Sequence, residues 1–145
     1  MYASVIRHAV EGLPNEACGL FAGPTNGAAV GTATVFYAIR NADLSPVAFT
    51  LDPYEHIAAE TDADARSLPI LGVMHSHPRS AAWPSPTDVA AISRFDPMGN
   101  YVNLIVSLRD AEPVLRGFRI LDGEITEVSV ESEIGTGLGS TSSGR

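Results

Sequence analysis

At 145 residues the chain has room for one domain that buries about 68–70% of the surface its unfolded form exposes, so folding requires neither disulfide nor structural metal. Apolar residues at 45% and charged residues at 18% are the mix of a globular domain and argue against a disordered chain. A net charge of −8 argues against a duplex nucleic-acid binder, and no apolar run approaches the roughly 18 residues that a membrane span requires.

In chain order, the first residues show no basic stretch followed by an apolar block, so no cleaved signal peptide is expected. Tyr2, Ile6, Ala9, Val10 and Leu13 recur at helical spacing and predict an amphipathic helix over residues 2–12, ended by Gly12 and Pro14. Residues 17–23 are a short apolar run between breakers, the pattern of a buried strand. Cys18, the one cysteine, leaves no internal disulfide and fits a reducing, cytoplasmic setting. Packing as a small hydrophobe is favoured for it over a redox role. Residues 32–39, rich in β-branched and aromatic types, predict a second strand, and residues 47–51 a further one.

Asp52, Pro53 and Glu55 read as a helix start in which Asp52 caps, Pro53 takes the first position and Glu55 closes the box. Tyr54, Ile57, Ala58 and Ala65 give that helix its expected inner stripe. Residues 69–74 form a continuous apolar run, as in a central strand buried on both faces. Ser85 to Asp88 opens a third helix with Val89, Ile92 and Phe95 inward, and residues 101–108 predict a strand. Residues 114–121 and 124–130 predict a hairpin across Asp122-Gly123. From Gly135 onward nine of eleven residues are Gly, Ser or Thr, too little side chain to offset ordering entropy. The expectation is a domain over residues 1–131, a flexible tail over residues 132–145, and an α/β or α+β fold with a mixed sheet flanked by three helices.

Chemistry concentrates in His75-Ser76-His77-Pro78 and, after a polar loop, Ser85 and Asp88. On an extended backbone His75 and His77 point to one face, with Ser76 turned away, so both imidazoles can converge on one ion. Asp88 at the next helix start supplies a carboxylate. Two histidines and a carboxylate suit zinc with its fourth position open, the mark of a catalytic rather than a structural site. Hydrolysis further needs a proton carrier and a donor for the developing oxyanion. Ser85 is placed to donate. Spacing alone leaves Glu16, Glu55 and Glu60 open as proton carriers.

The pattern His75-x-His77, seven residues, Ser85, two residues, Asp88, with Glu16 upstream in Asn15-Glu16-Ala17-Cys18-Gly19-Leu20, resembles the JAMM (MPN-plus) metalloprotease family. The likeness covers about residues 2–130, and Asn41 to Pro46 and Arg119 to Gly123 are similar to its compact bacterial and archaeal members, among them the peptidase that frees cysteine from a sulfur-carrier protein. The resemblance implies a cytidine-deaminase-like fold, Zn2+ held by His75, His77 and Asp88, Glu16 as general acid/base and Ser85 as oxyanion stabiliser. It also implies cleavage of amide or isopeptide bonds after the Gly-Gly end of a ubiquitin-like or sulfur-carrier protein. Such proteins usually carry a strand before the first helix, whereas this chain opens almost inside that helix, which leaves one sheet edge and a homodimer arrangement open.

Bland readings stand beside each of these. Ser85-Pro86-Thr87-Asp88 is also a plain capping box, compatible with ligation because a helix start presents the same groups to a cleft. His8 and His56, on predicted helices without such company, read as surface residues. Arg79 and Trp83, inside the loop after His77, are candidate substrate contacts: Arg79 for a carboxylate or backbone, Trp83 for an extended tail or else the edge of the core. Two rival functions share the motif: a non-catalytic MPN-type scaffold and a RadC-like DNA-repair-associated protein. The acidic charge and the Glu16-to-Gly19 segment weigh against the second.

Overall fold

The computed structural model describes residues 1–26, 31–134 and 138–141. Three helices, α1 (Tyr2–Glu11), α2 (Pro53–Ala65) and α3 (Pro86–Phe95), accompany strands β1 (Cys18–Ala22), β2 (Val35–Ile39), β3 (Ile70–His77), β4 (Val102–Ser107), β5 (Val114–Leu121) and β6 (Glu124–Val128). The six strands form one sheet in the order β2-β1-β3-β4-β5-β6, with β3 and β4 parallel and every other pair antiparallel. This is the mixed sheet with three helices expected of an α+β domain. β3 lies centrally because its residues are buried on both faces, and Gly72 lets it close on β4: a Cβ there would meet the Val102 carbonyl oxygen at 1.8 Å.

Alternation along the strands sends side chains to two different cores. Ala17, Phe21, Met74, Leu104, Val106 and Leu115 pack with Val5 and Ala9 of α1. On the other side Cys18, Leu20, Ile39, Leu51 and Val73 pack with Ala59 of α2, and Ile105 and Phe118 meet Ala82. The Asp122-Gly123 turn has φ of 52° and 78°, the left-handed pair that a tight two-residue hairpin demands.

Several local expectations are corrected. In α1 the buried positions are Val5 and Ala9, whereas Val10 and Leu13 are exposed, because the helix seats its Tyr2-Val5-Ile6-Ala9 side on the sheet. In α2 the inner residues are Ala59 and Ala63. Tyr54 and Ile57 face outward, because small residues let this helix sit close to the sheet. Phe95 of α3 is likewise exposed and rests on Tyr101 and His56. Asp52 does cap the Glu55 amide at 3.0 Å, but the Glu55 carboxylate accepts from the Arg40 amide at 2.7 Å instead of closing the box. Residues 47–51 form no strand. Their segment is a loop closed by the isolated Asn41–Leu51 bridge and by the Ala42 amide donating to the Thr50 carbonyl. His8 is half-buried and donates to the Cys18 carbonyl at 2.8 Å rather than lying on the surface. β7 (Glu131–Ile134) and β8 (Leu138–Thr141) pair as a separate two-stranded sheet that starts at the end of the expected domain and runs into the span read as a tail over residues 132–145. Residues 135–137 and 142–145 lie outside the described residues.

Candidate metal centre and its cleft

Three donors meet where β3 ends and α3 begins. His75 and His77 are two steps apart on β3 and share a face. Asp88 occupies the first turn of α3, where the helix N-terminus favours negative charge. Its orientation is set by the helix cap: the Asp88 amide donates to the Ser85 hydroxyl oxygen at 3.0 Å, and the Ser85 amide donates to Asp88 Oδ2 at 2.9 Å. Capping and delivery of the carboxylate are thus one structure. His75 Nε2, His77 Nε2 and Asp88 Oδ2 lie 3.2, 3.2 and 3.0 Å from one another, and all three residues are buried.

These separations fit a shared ion. Tetrahedral ligands bonded at about 2.0–2.1 Å sit about 3.3–3.4 Å apart. Tautomer chemistry points the same way. His77 Nδ1 is 2.7 Å from the Ala81 carbonyl, which accepts only, so Nδ1 carries the proton and the neutral ring turns a bare Nε2 lone pair inward. Lone pairs on two imidazoles and a carboxylate cannot share one buried spot unless a proton or a cation joins them. Among the described residues, His75, His77 and Asp88 are the group of histidine, cysteine and acidic side chains able to hold a metal ion.

The charges follow from burial and proximity. Burial opposes protonation of His75, and its pKa lies below the ordinary value. Burial opposes it at His77 too, but the Asp88 carboxylate and the Ala81 carbonyl outweigh that penalty and hold His77 above its usual range. Asp88 is desolvated as well, yet the two imidazoles and the Ser85 amide keep its carboxyl well below the usual carboxylate range.

Glu16 reaches the same place from the segment that leads into β1. β1 pairs antiparallel with β3 with Cys18 opposite His75, and the Ser76 amide donates to the Ala17 carbonyl just beyond. Continued to residue 16, this register sets Glu16 opposite His77, on the same face. Its backbone is held at both ends: the amide donates to the Ser45 carbonyl at 2.8 Å, and the carbonyl accepts from Asn41 Nδ2 at 3.0 Å. The side chain is buried and its Oε1 has no hydrogen-bond partner. Burial first, and the Asp88 charge second, push its carboxyl up to about 8, with His77 pulling in the opposite direction. Glu55 and Glu60 are occupied elsewhere, with the Arg40 amide and with His56.

A cleft of about 400 Å³ opens over the centre, lined by Pro14, Glu16, Pro46, Val47, His77, Arg79, Ser80 and Ser85. It gathers four of the residues singled out from the sequence. Trp83 is not among its lining: it packs edge-on against Phe118, with the Arg116 guanidinium over its ring, at the edge of the core. Cys18 is fully buried, donates weakly to the Ile39 carbonyl, and burial followed by nearby acids pushes its thiol up to about 12, so it packs rather than reacts. Sequence reasoning gave Asn41 no role of its own and passed over Phe49. Asn41 joins the segment of Glu16, just before β1, to the 41–51 loop, and Phe49 stacks on His75 with ring centroids 4.6 Å apart. The family-like stretch Asn41 to Pro46 was the visible signal for the first, and nothing local marked the second.

Fold and donor set together define a class: an α+β domain with a site compatible with one metal ion at the end of its central strand, beside a buried carboxyl. The particular family is equally plain. Residues 1–120 match the prokaryotic homologs of the JAB domain, and the chain belongs to that family. It is similar to the CysO-cysteine peptidase of Mycobacterium tuberculosis, 35% identical over 129 residues that cover 88% of this chain and 83% of that protein. It is similar also to the desampylase of Haloferax volcanii, 34% identical over 90 residues, 59% of this chain and 63% of that protein. Among solved structures, the solution structure of a protein from Desulfitobacterium hafniense superposes with a TM-score of 0.79 at 35% identity, covering 88% of this chain and 84% of the other. No helix among the described residues is long and apolar enough to cross a membrane.

Proposed function

We propose that this protein is a cytoplasmic zinc-dependent peptidase that hydrolyses the amide bond after the C-terminal Gly-Gly of a ubiquitin-like or sulfur-carrier protein. The observation that carries the reading is the meeting of His75, His77 and Asp88 beside a cleft lined by His77 and by Glu16, whose buried Oε1 has no hydrogen-bond partner. The peptidases to which the chain is similar supply the hydrolytic class and the kind of substrate.

Zinc held by His75, His77 and Asp88 would polarise the scissile carbonyl and make water acidic at neutral pH. The chain's own groups do the rest. Glu16, whose Oε1 is free of other partners beside the donor set, accepts the proton of the attacking water and returns it to the departing amine. Ser85 accepts the Asp88 amide through its oxygen, which leaves its own hydrogen free to donate to the developing oxyanion. Pro14, Pro46 and Val47 form apolar walls between which a diglycine tail passes, glycine allowing close backbone approach. Arg79, the permanent cation in the wall, meets a carboxylate or the backbone of the substrate.

The test is a panel of carrier adducts, one ending in Gly-Gly-cysteine and one joined through Gly-Gly to a lysine of a second protein. Cleavage that stops with a chelator and returns with added zinc is the expected result, and the preferred adduct identifies the leaving group. Stoichiometric zinc with no cleavage of any Gly-Gly bond overturns the enzyme in favour of a scaffold.

A further inference from the structure

The two imidazoles at the centre are held by different means. His77 is fixed by a hydrogen bond from Nδ1 to the Ala81 carbonyl. His75 Nδ1 is buried and has no hydrogen-bond partner. Metal-ligating histidines almost always use this second nitrogen to fix ring orientation and tautomer. His75 is instead clamped between rings: Phe49 lies nearly parallel at 4.6 Å and 21°, and His77 stands edge-on at 5.0 Å and 62°.

Phe49 is itself held with unusual completeness for a loop residue. The neighbours on each side of it are tied to one side chain: Asn41 Nδ2 donates to the Ala48 carbonyl at 3.0 Å, and the Thr50 amide donates to Asn41 Oδ1 at 3.1 Å. The same Nδ2 donates to the Glu16 carbonyl, and the same Oδ1 accepts from the Asp43 amide. All four hydrogen-bonding positions of the Asn41 amide are thereby filled. Backbone bonds from Ala42 to Thr50 and from Asp52 to Arg40 close the base of the loop.

We infer that the Asn41–Leu51 loop is a brace for the metal centre, in which Phe49 orients His75 by stacking in place of the absent hydrogen bond, while Asn41 locks Phe49 to the segment before β1 that carries Glu16. Phe49 and Asn41 are positioning residues and touch no reacting atom. A ring on a ring restrains the imidazole plane, and that plane aims the Nε2 lone pair. A fully saturated asparagine keeps the ring from drifting.

This inference rests on the reading of His75 as a metal ligand, and the experiment separates the two. Affinity for cobalt(II) and zinc(II), with the visible spectrum of the cobalt form, is measured on the full chain and on Phe49→Leu, Phe49→Met and Phe49→Tyr. Loss of a partner that orients a ligand typically lowers metal affinity about 10–100-fold. That loss is expected in the Leu and Met variants, with an altered cobalt spectrum, whereas Tyr, which keeps the stack, stays within about threefold of the parent. Two non-aromatic variants are used so that misfolding of one, judged by far-UV circular dichroism, leaves the other to decide. Unchanged affinity and spectrum in either folded variant overturns the brace. Failure of the parent chain to bind cobalt or zinc overturns the metal reading and the brace with it.

Discussion

The two faces of the central sheet differ in what they bury. Toward α1, β3 presents Met74 among Ala17, Leu104, Val106 and Leu115, with Ser76 as the polar exception, its hydroxyl accepting from the Ala17 amide. Toward the cleft the same strand presents His75 and His77, joined by Asp88 and by Glu16 from beside β1. One face gains from removing apolar surface from water; the other sets titratable groups against one another in a low-dielectric pocket. Strand alternation is what allows both within two residues. The difference teaches that stability and chemistry are divided across the sheet, and it can be broken from either side.

The largest effect is expected at Glu16. Glu16→Gln keeps the ligands, so metal content measured by atomic absorption stays stoichiometric, while turnover falls by about 10²–10⁴-fold, the usual contribution of a positioned acid/base group. Its stability moves the other way. Because the Glu16 carboxyl is raised to about 8, the folded metal-free protein keeps a proton that the unfolded chain releases near 4.5. Metal-free stability contributed by this group is therefore present below about pH 4.5 and lost as pH rises toward 8. Chemical denaturation across that window is expected to show a shallower decline in Glu16→Gln than in the parent; parallel curves would mean the carboxyl is not held protonated.

Ser85→Ala comes next and touches both the observed cap and the proposed oxyanion donor. Loss of an oxyanion donor typically costs about 10²–10³-fold in rate, and loss of an N-cap about 1 kcal/mol. Kinetics and urea melts on the same preparation separate the two, and unchanged turnover with lowered stability would leave Ser85 as a cap alone. The smallest effect on chemistry is expected across the sheet. Leu104→Ala opens a cavity in the α1-side core and costs about 2–5 kcal/mol of stability, with turnover per folded molecule unchanged. A large fall in turnover of the folded variant would erase the division between the faces.

The chain's local grammar was largely open to reading. The helix starts at Pro53 and Pro86, the Asp122-Gly123 hairpin and the apolar run into His75 depend on neighbouring residues, whose spacing and backbone preferences act over a few positions. The donor trio was legible for the same reason, since strand alternation and a helix cap bring His75, His77 and Asp88 together within fourteen positions. Burial was less so. Tyr54 and Ile57 have the composition of an inner stripe, yet the helix shows the sheet its alanines, and no single segment contains the distance at which it docks.

The residues written next to one another were enough to specify strands, caps and a convergent donor set, because those obey periods of two and 3.6 and bonds reaching three or four positions. The approach of Glu16, rather than Glu55 or Glu60, to the cleft, the placing of Trp83 against Phe118 instead of in it, and the contacts of Asn41 and Phe49 with the segments of the centre depended on packing. These contacts join segments tens of residues apart, through sheet register and loop closure. Their geometry exists only once the strands have paired.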